Sequence, residues 1–193
     1  MPTTREMPLL DIAWRPTKGV VMFADIEGFF PMAGRMKLDE LCSFTQSLYS
    51  LWGGEIRHQH GEVVMHVGDS VVGLFTADGC GSADPEWCAT LAAFHICKAA
   101  KKLRPDLEIN VALNIGEVAD GRWEEQGRTM RALLGDPVNR AAVMLNGKQK
   151  GIFATPPIVD VLGPRVKTEK FSLRMTSGNG QDETVYKLIS LVL

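Results

Sequence analysis

Two short stretches set an acidic side chain beside glycine at the edge of an apolar run. They are Phe23-Ala24-Asp25-Ile26-Glu27-Gly28-Phe29-Phe30 and Gly68-Asp69-Ser70-Val71-Val72-Gly73-Leu74-Phe75. Carboxylate oxygens are hard ligands, and Mg²⁺ takes one or two of them together with phosphate oxygens. A glycine alongside lets backbone N–H groups approach those phosphates closely. Brought together in space, Asp25 and Asp69 would hold divalent metal over a polyphosphate. Either stretch alone reads equally well as a strand ending in an Asp-Gly turn. A third stretch weighs against that: Asn110-Val111-Ala112-Leu113-Asn114-Ile115-Gly116-Glu117-Val118, then Leu134-Gly135-Asp136-Pro137-Val138-Asn139-Arg140-Ala141-Ala142.

These residues need elements to carry them. Val20–Ile26 is a continuous apolar run that suits a central strand. A helix is expected over about residues 37–52, with Leu38, Leu41, Thr45, Leu48 and Trp52 on one face and Gly53-Gly54 as its stop. Residues 55–60 and 62–75 read as two or three strands turned at Gly61 and at Gly68-Asp69. His58 and His60 would alternate on the first of these, as solvated side chains. Asp84-Pro85 starts a helix to about Leu103, and Leu107–Ile115 reads as a strand. Residues 116–134 form a polar hairpin or arm, and Asp136-Pro137 starts a helix to about Leu145. A strand at 151–154, a short helix at 157–162 and strands at 166–173 and 184–191 complete the chain. Helices fall between strands that cannot all be parallel neighbours. The fold class is therefore α+β, with helices packed on a largely antiparallel sheet.

The chain has 193 residues, enough for one domain with its own core. Residues 1–18 are polar and proline-containing and read as an N-terminal arm before a domain at 19–193. Net charge is −2, and no basic run is interleaved with aromatics, so a nucleic-acid partner is not expected. Lys98, Lys101, Lys102 and Arg104 cluster at an expected helix end, where cations complement the helix dipole. No apolar stretch approaches the ~18 residues of a membrane span, and the N-terminus has no apolar signal core. Cys42, Cys80, Cys88 and Cys97 form no C-x-x-C pair. The expectation is a cytoplasmic protein without disulfides, making no membrane contact.

With all three stretches in view, the chain resembles the catalytic domain of class III nucleotidyl cyclases from about Val20 to Leu188. The resemblance implies a ferredoxin-like α+β core. It also implies closure of a nucleoside triphosphate into a 3′,5′-cyclic nucleotide with release of pyrophosphate. The family works as a head-to-tail dimer with its sites between subunits. By resemblance, Asp25, Asp69 and the backbone carbonyl of Ile26 would hold two Mg²⁺ or Mn²⁺ ions. The N–H groups of Gly28, Phe29 and Phe30 would cradle the phosphates, with Phe29 and Phe30 packed against a neighbouring helix. Asn139 of the other subunit would orient the ribose, and Arg174 would touch the terminal phosphates.

Three positions depart from the family's pattern. Met65, three residues before Gly68, stands where adenylate cyclases carry a purine-reading lysine and guanylate cyclases a glutamate. Ala132, three residues before Gly135, stands where Asp, Thr or Cys is usual. Neither side chain makes a useful hydrogen bond. Val143, one helical turn after Asn139, stands where an arginine stabilises charge on the α-phosphate. Loss of one such group commonly costs ~10²–10³ in rate. Arg140 lies about 100° around the helix from Asn139, and Arg122, Arg128 and Arg131 on the arm are the other candidates for the missing charge. Two readings follow. One is an active cyclase with an unusual base preference, UTP or CTP among the candidates, as in bacterial relatives that make cyclic pyrimidine nucleotides in defence against phage. The other is a degenerate homologue that binds nucleotide, or serves as a regulatory partner, without turnover. Homodimer and heterodimer both stay open.

Overall fold

In a computed structural model of the chain, the described residues are 10–145, 150–174 and 182–192. The elements follow one another as β1 (Ala13–Ile26), α1 (Phe29–Ala33), α2 (Leu38–His58), β2 (Glu62–Val67), β3 (Ser70–Thr76), α3 (Ala77–Cys80) and α4 (Pro85–Leu103). The remainder are β4 (Ile109–Glu125), β5 (Arg128–Leu134), α5 (Asp136–Leu145), β6 (Ile152–Ala154), α6 (Pro156–Leu162), β7 (Val166–Arg174) and β8 (Asp182–Leu191). The eight strands of the described residues form one sheet in the order β2-β3-β1-β4-β6-β8-β7, with β5 paired to β4. Every pairing is antiparallel except β4 with β6. This is the expected mixed α+β architecture.

β1 is the central strand, and its period-two alternation sorts its residues onto two faces. Val20, Met22, Ala24 and Ile26 enter the larger core, with Leu48, Trp52 and Ile56 of α2 and Ala89, Ala93 and Ile96 of α4. Val21 enters a second core, with Ala141 and Met144 of α5. Asp25 shares the parity of Val21. The sheet therefore delivers it on the α5 face, at the end of the strand.

Three expectations need correction. Residues 13–18 are not an arm: they pair with residues 117–122 of β4 and form the first part of β1. Their polarity misleads because this end of the strand is largely exposed and held by main-chain bonds. α2 also does not stop at Gly53-Gly54. It continues to His58, because Ile56, one turn after Trp52, is fully buried and packing outweighs weak local propensity. His58 is thus helical, and His60 lies in the turn beyond it at φ 63°. Finally, the apolar stripe of α2 is shifted toward its C-terminus. Leu38 is 73% exposed, while Leu48, Trp52 and Ile56 are buried.

Lys101 and Lys102 lie in the last turn of α4 and Arg104 is its C-cap, the helix end expected for this cation cluster. Lys101 pairs with Glu108, and Arg104 pairs with Asp106 at 2.8 Å. All four cysteines are free.

Candidate active site

Asp25 is the penultimate residue of β1. The chain leaves that strand through Glu27 and Gly28, and Gly28 adopts a left-handed conformation (φ 71°, ψ 26°) as the cap of α1. A Cβ there would meet nothing within 4 Å, so backbone conformation rather than space calls for glycine. Asp69 sits in the two-residue turn between β2 and β3, after Gly68 at φ 60°. Tertiary pairing of β1 with β3 brings the two stretches together. The Ile26 N–H donates to Asp69 Oδ2 at 3.2 Å.

The electrostatics suit a cation. Burial, then the charges of Asp69 and Glu27, push the Asp25 carboxyl up to about 6. Burial also raises Asp69, opposed by hydrogen bonds from its own N–H and that of Ile26. Asp25 Oδ1 is buried with no hydrogen-bond partner among the described residues. An acceptor left bare in this way is costly unless something positive takes it. Two carboxylates, one with an orphaned oxygen, are donors that fit Mg²⁺ or Mn²⁺. Among the described residues no third His, Cys, Asp or Glu joins them. Remaining positions would fall to backbone, water or phosphate oxygens.

Beside this pair, the N–H groups of Gly28, Phe29 and Phe30 find no backbone acceptor among the described residues. The aromatic pair divides, contrary to expectation. Phe29 packs against the larger core, whereas Phe30 is 90% exposed, because neighbouring helix positions point ~100° apart. One supporting residue escaped the sequence reading. Asn110, buried opposite Asp25, donates to Glu27 at 2.7 Å and accepts from the Gly151 N–H at 3.1 Å. It ties the Glu27 turn to the strand behind it. The available signal was an amide at the head of an apolar strand.

Other predicted residues lie elsewhere. Asn139 is exposed on the first turns of α5. Gly19 pairs with Gly116, and Pro137 packs on Gly116. Asp25 lies six residues further along β1, at ~3.3 Å per residue. One chain therefore does not bring Asn139 to its own Asp25; the gap is roughly 15 Å or more by that rise. Met65 and Val143 both pack against the second core, and Ala132 is half-buried on β5. The Arg174 backbone pairs with Asp182 at the end of β7; its side chain lies outside the described residues.

Of the arm arginines, Arg128 is exposed at the start of β5, and the other two are committed elsewhere. Arg131 makes a two-pronged contact with Asp120, both bonds at 2.8 Å, and reaches Glu62 at 2.6 Å. Arg122 joins Glu62 at 3.2 Å. Asp120 pairs with Arg15, ten residues from Asp25 along β1. Arg122 and Arg131 therefore do not serve their own chain's Asp25. Arg140 is held by Glu183 and by Asp136 at 3.4 Å.

The sequence profile for the adenylate and guanylate cyclase catalytic domain matches residues 15–188. The chain belongs to that family. Solved cyclase structures share the fold of this domain. The adenylyl cyclase CyaB from P. aeruginosa superposes with a TM-score of 0.84 at 17% identity, covering 92% of this chain and 96% of that one. A guanylate cyclase domain, RhGC from Catenaria anguillulae in complex with GTP, gives 0.79 at 19% identity, covering 92% and 100%. A dimeric guanylyl cyclase domain of the RhoGC fusion protein from Blastocladiella emersonii gives 0.78 at 18%, covering 92% and 99%. No curated protein matches the chain. Among the described residues of this cyclase domain, no helix is long and apolar enough to cross a membrane.

Proposed function

We propose that this cyclase domain converts a nucleoside triphosphate into its 3′,5′-cyclic nucleotide and pyrophosphate. In that reaction the 3′-oxygen bonds to the α-phosphorus, the bond from that phosphorus to the bridging β-phosphate oxygen breaks, and the 3′-hydroxyl proton is lost. Asp25, Asp69 and the Ile26 carbonyl would hold two Mg²⁺ or Mn²⁺ ions. When bound, these acidify the 3′-hydroxyl and neutralise phosphate charge. The N–H groups of Gly28, Phe29 and Phe30 orient the phosphates, and Arg174 approaches the terminal one. Asn139 comes from a second subunit and orients the ribose, so the site is complete only in a dimer.

One observation carries this reading: two acids far apart in sequence meet at a hydrogen-bonded strand end, and one keeps a buried oxygen without a partner among the described residues. The test is incubation with ATP, GTP, CTP and UTP plus Mn²⁺, with cyclic products resolved by mass. Met65 and Ala132, which offer a base no polar side chain, carry the part of the proposal that concerns an unusual preference. A pyrimidine product would support the defence-signalling branch; a purine product would remove it. No product from any of the four overturns the enzymatic reading.

A second reading has its own observation. Val143 packs against the second core where the family holds a stabilising arginine, and Arg140, Arg122 and Arg131 are paired within the chain. On that reading the chain binds nucleotide, alone or as a regulatory partner, without turnover. Calorimetric binding with no product would establish it.

A further inference from the structure

Asp69 is half-buried on a two-residue turn that has little packing of its own. Val67 pairs with Ser70 to close it, Val67 is 59% exposed, and a Cβ on Gly68 would meet nothing within 4 Å. Gly68 has positive φ and Asp69 does not, the pattern of a type II′ turn. The competing type I′ turn differs by a flip of the Gly68–Asp69 peptide, which drives the second residue to positive φ. Asp tolerates that region better than most residues. The alternative is therefore accessible, and it would re-aim the Asp69 side chain.

The flip reverses the carbonyl and the N–H of that peptide together, and the carbonyl is held from outside. Tyr49, on α2, donates its hydroxyl to the Gly68 carbonyl at 2.6 Å. The Tyr49 ring stacks on His66 of β2, with centroids 4.0 Å apart and planes inclined by 17°. Stacking fixes the ring, and the ring fixes the hydroxyl. On the far side, Asp69 Oδ2 accepts from the Ile26 N–H. The turn is thus tethered to α2 through its peptide and to β1 through its carboxylate.

We infer that Tyr49 is a positioning residue for Asp69: its bond to the Gly68 carbonyl holds the turn in the form that presents the carboxylate beside Asp25 for divalent metal. This rests on the assignment of Asp25 and Asp69 as metal ligands. Removing the hydroxyl leaves the stacked ring and every apolar contact in place, and frees only the peptide.

The test compares wild type, Tyr49→Phe and Asp69→Ala for Mn²⁺ affinity by titration calorimetry, alongside metal-free melting temperature. Tyr49→Phe is expected to weaken Mn²⁺ about tenfold, the scale of losing a residue that orients a metal ligand, with little change in metal-free melting. A purely structural role would do the reverse, lowering melting and leaving affinity alone. Unchanged affinity in Tyr49→Phe, with Asp69→Ala impaired, overturns this inference but not the metal site. Wild-type protein that binds no Mn²⁺ overturns the ligand assignment and this inference with it. Should Tyr49→Phe fail to fold, the wild-type chain answers, because it has only two tyrosines. With ¹³Cζ-labelled tyrosine, Mg²⁺ is expected to shift the Tyr49 signal and not that of Tyr186. An unmoved Tyr49 signal overturns the proposal.

Discussion

Asp25 takes its character from its surroundings. A carboxyl that titrates at about 6 when folded, against an ordinary carboxylate value when unfolded, binds its proton more tightly in the native state. Between the two values the folded chain holds the extra proton, so stability of the metal-free protein falls as pH rises from about 4 to about 6. Urea unfolding of metal-free protein across that range is expected to show the fall, and Asp25→Asn to reduce it. Asp69→Ala is expected to lower cyclase turnover by at least ~10²-fold, the scale of losing one group that stabilises developing charge, while circular dichroism stays unchanged. A variant of Asp69 with full turnover would remove it from the chemistry.

At the scale of elements, close approaches explain two residue choices. Gly61 joins α2 to β2, and a Cβ there would lie 2.4 Å from the ring of Phe75. That ring is fully buried. Gly61→Ala is expected to cost about 1–3 kcal/mol by overpacking, read from denaturant midpoints. The β4–β5 hairpin is pinned to the rest of the sheet by Arg131 between Asp120 and Glu62. Burial alone would raise the Asp120 carboxyl, but the hydrogen bonds and charge of Arg131 outweigh it and hold it below the usual range. This contribution is present above the ordinary Asp value and is lost as pH falls through the lowered one. Asp120→Ala strands a mostly buried guanidinium, 13% exposed. Breaking such a pair costs about 3 kcal/mol, and Glu62 as a remaining partner moderates the loss. A variant as stable as wild type would show that the hairpin is held by main-chain pairing alone.

For the whole molecule, the separation of Asn139 from its own Asp25 makes a sharp prediction. Asp25→Asn and Asn139→Ala should each inactivate a homodimer whose sites draw one residue from each subunit. Mixed after subunit exchange, the two variants rebuild one intact site per heterodimer. Recovery of about a quarter of wild-type activity is expected from random pairing in a two-fold dimer. No recovery from exchanged subunits would mean that each chain completes its own site.

What could be read from the chain alone was local. Acid-glycine pairs at strand ends, Asp-Pro helix starts at 84–85 and 136–137, and the apolar run of β1 depend on neighbours in sequence, and the structure has them where expected. Short-range rules failed where distant partners decide. Gly53-Gly54 looks like a stop until Ile56 finds the sheet, and the polar residues 13–18 look unstructured until β4 offers its edge. The Asp25–Asp69 meeting, the Asn110 and Tyr49 tethers and the capture of Arg122 and Arg131 by Glu62 all join positions remote in sequence. Such contacts form only when the fold closes the intervening loops, so tertiary structure alone could decide them.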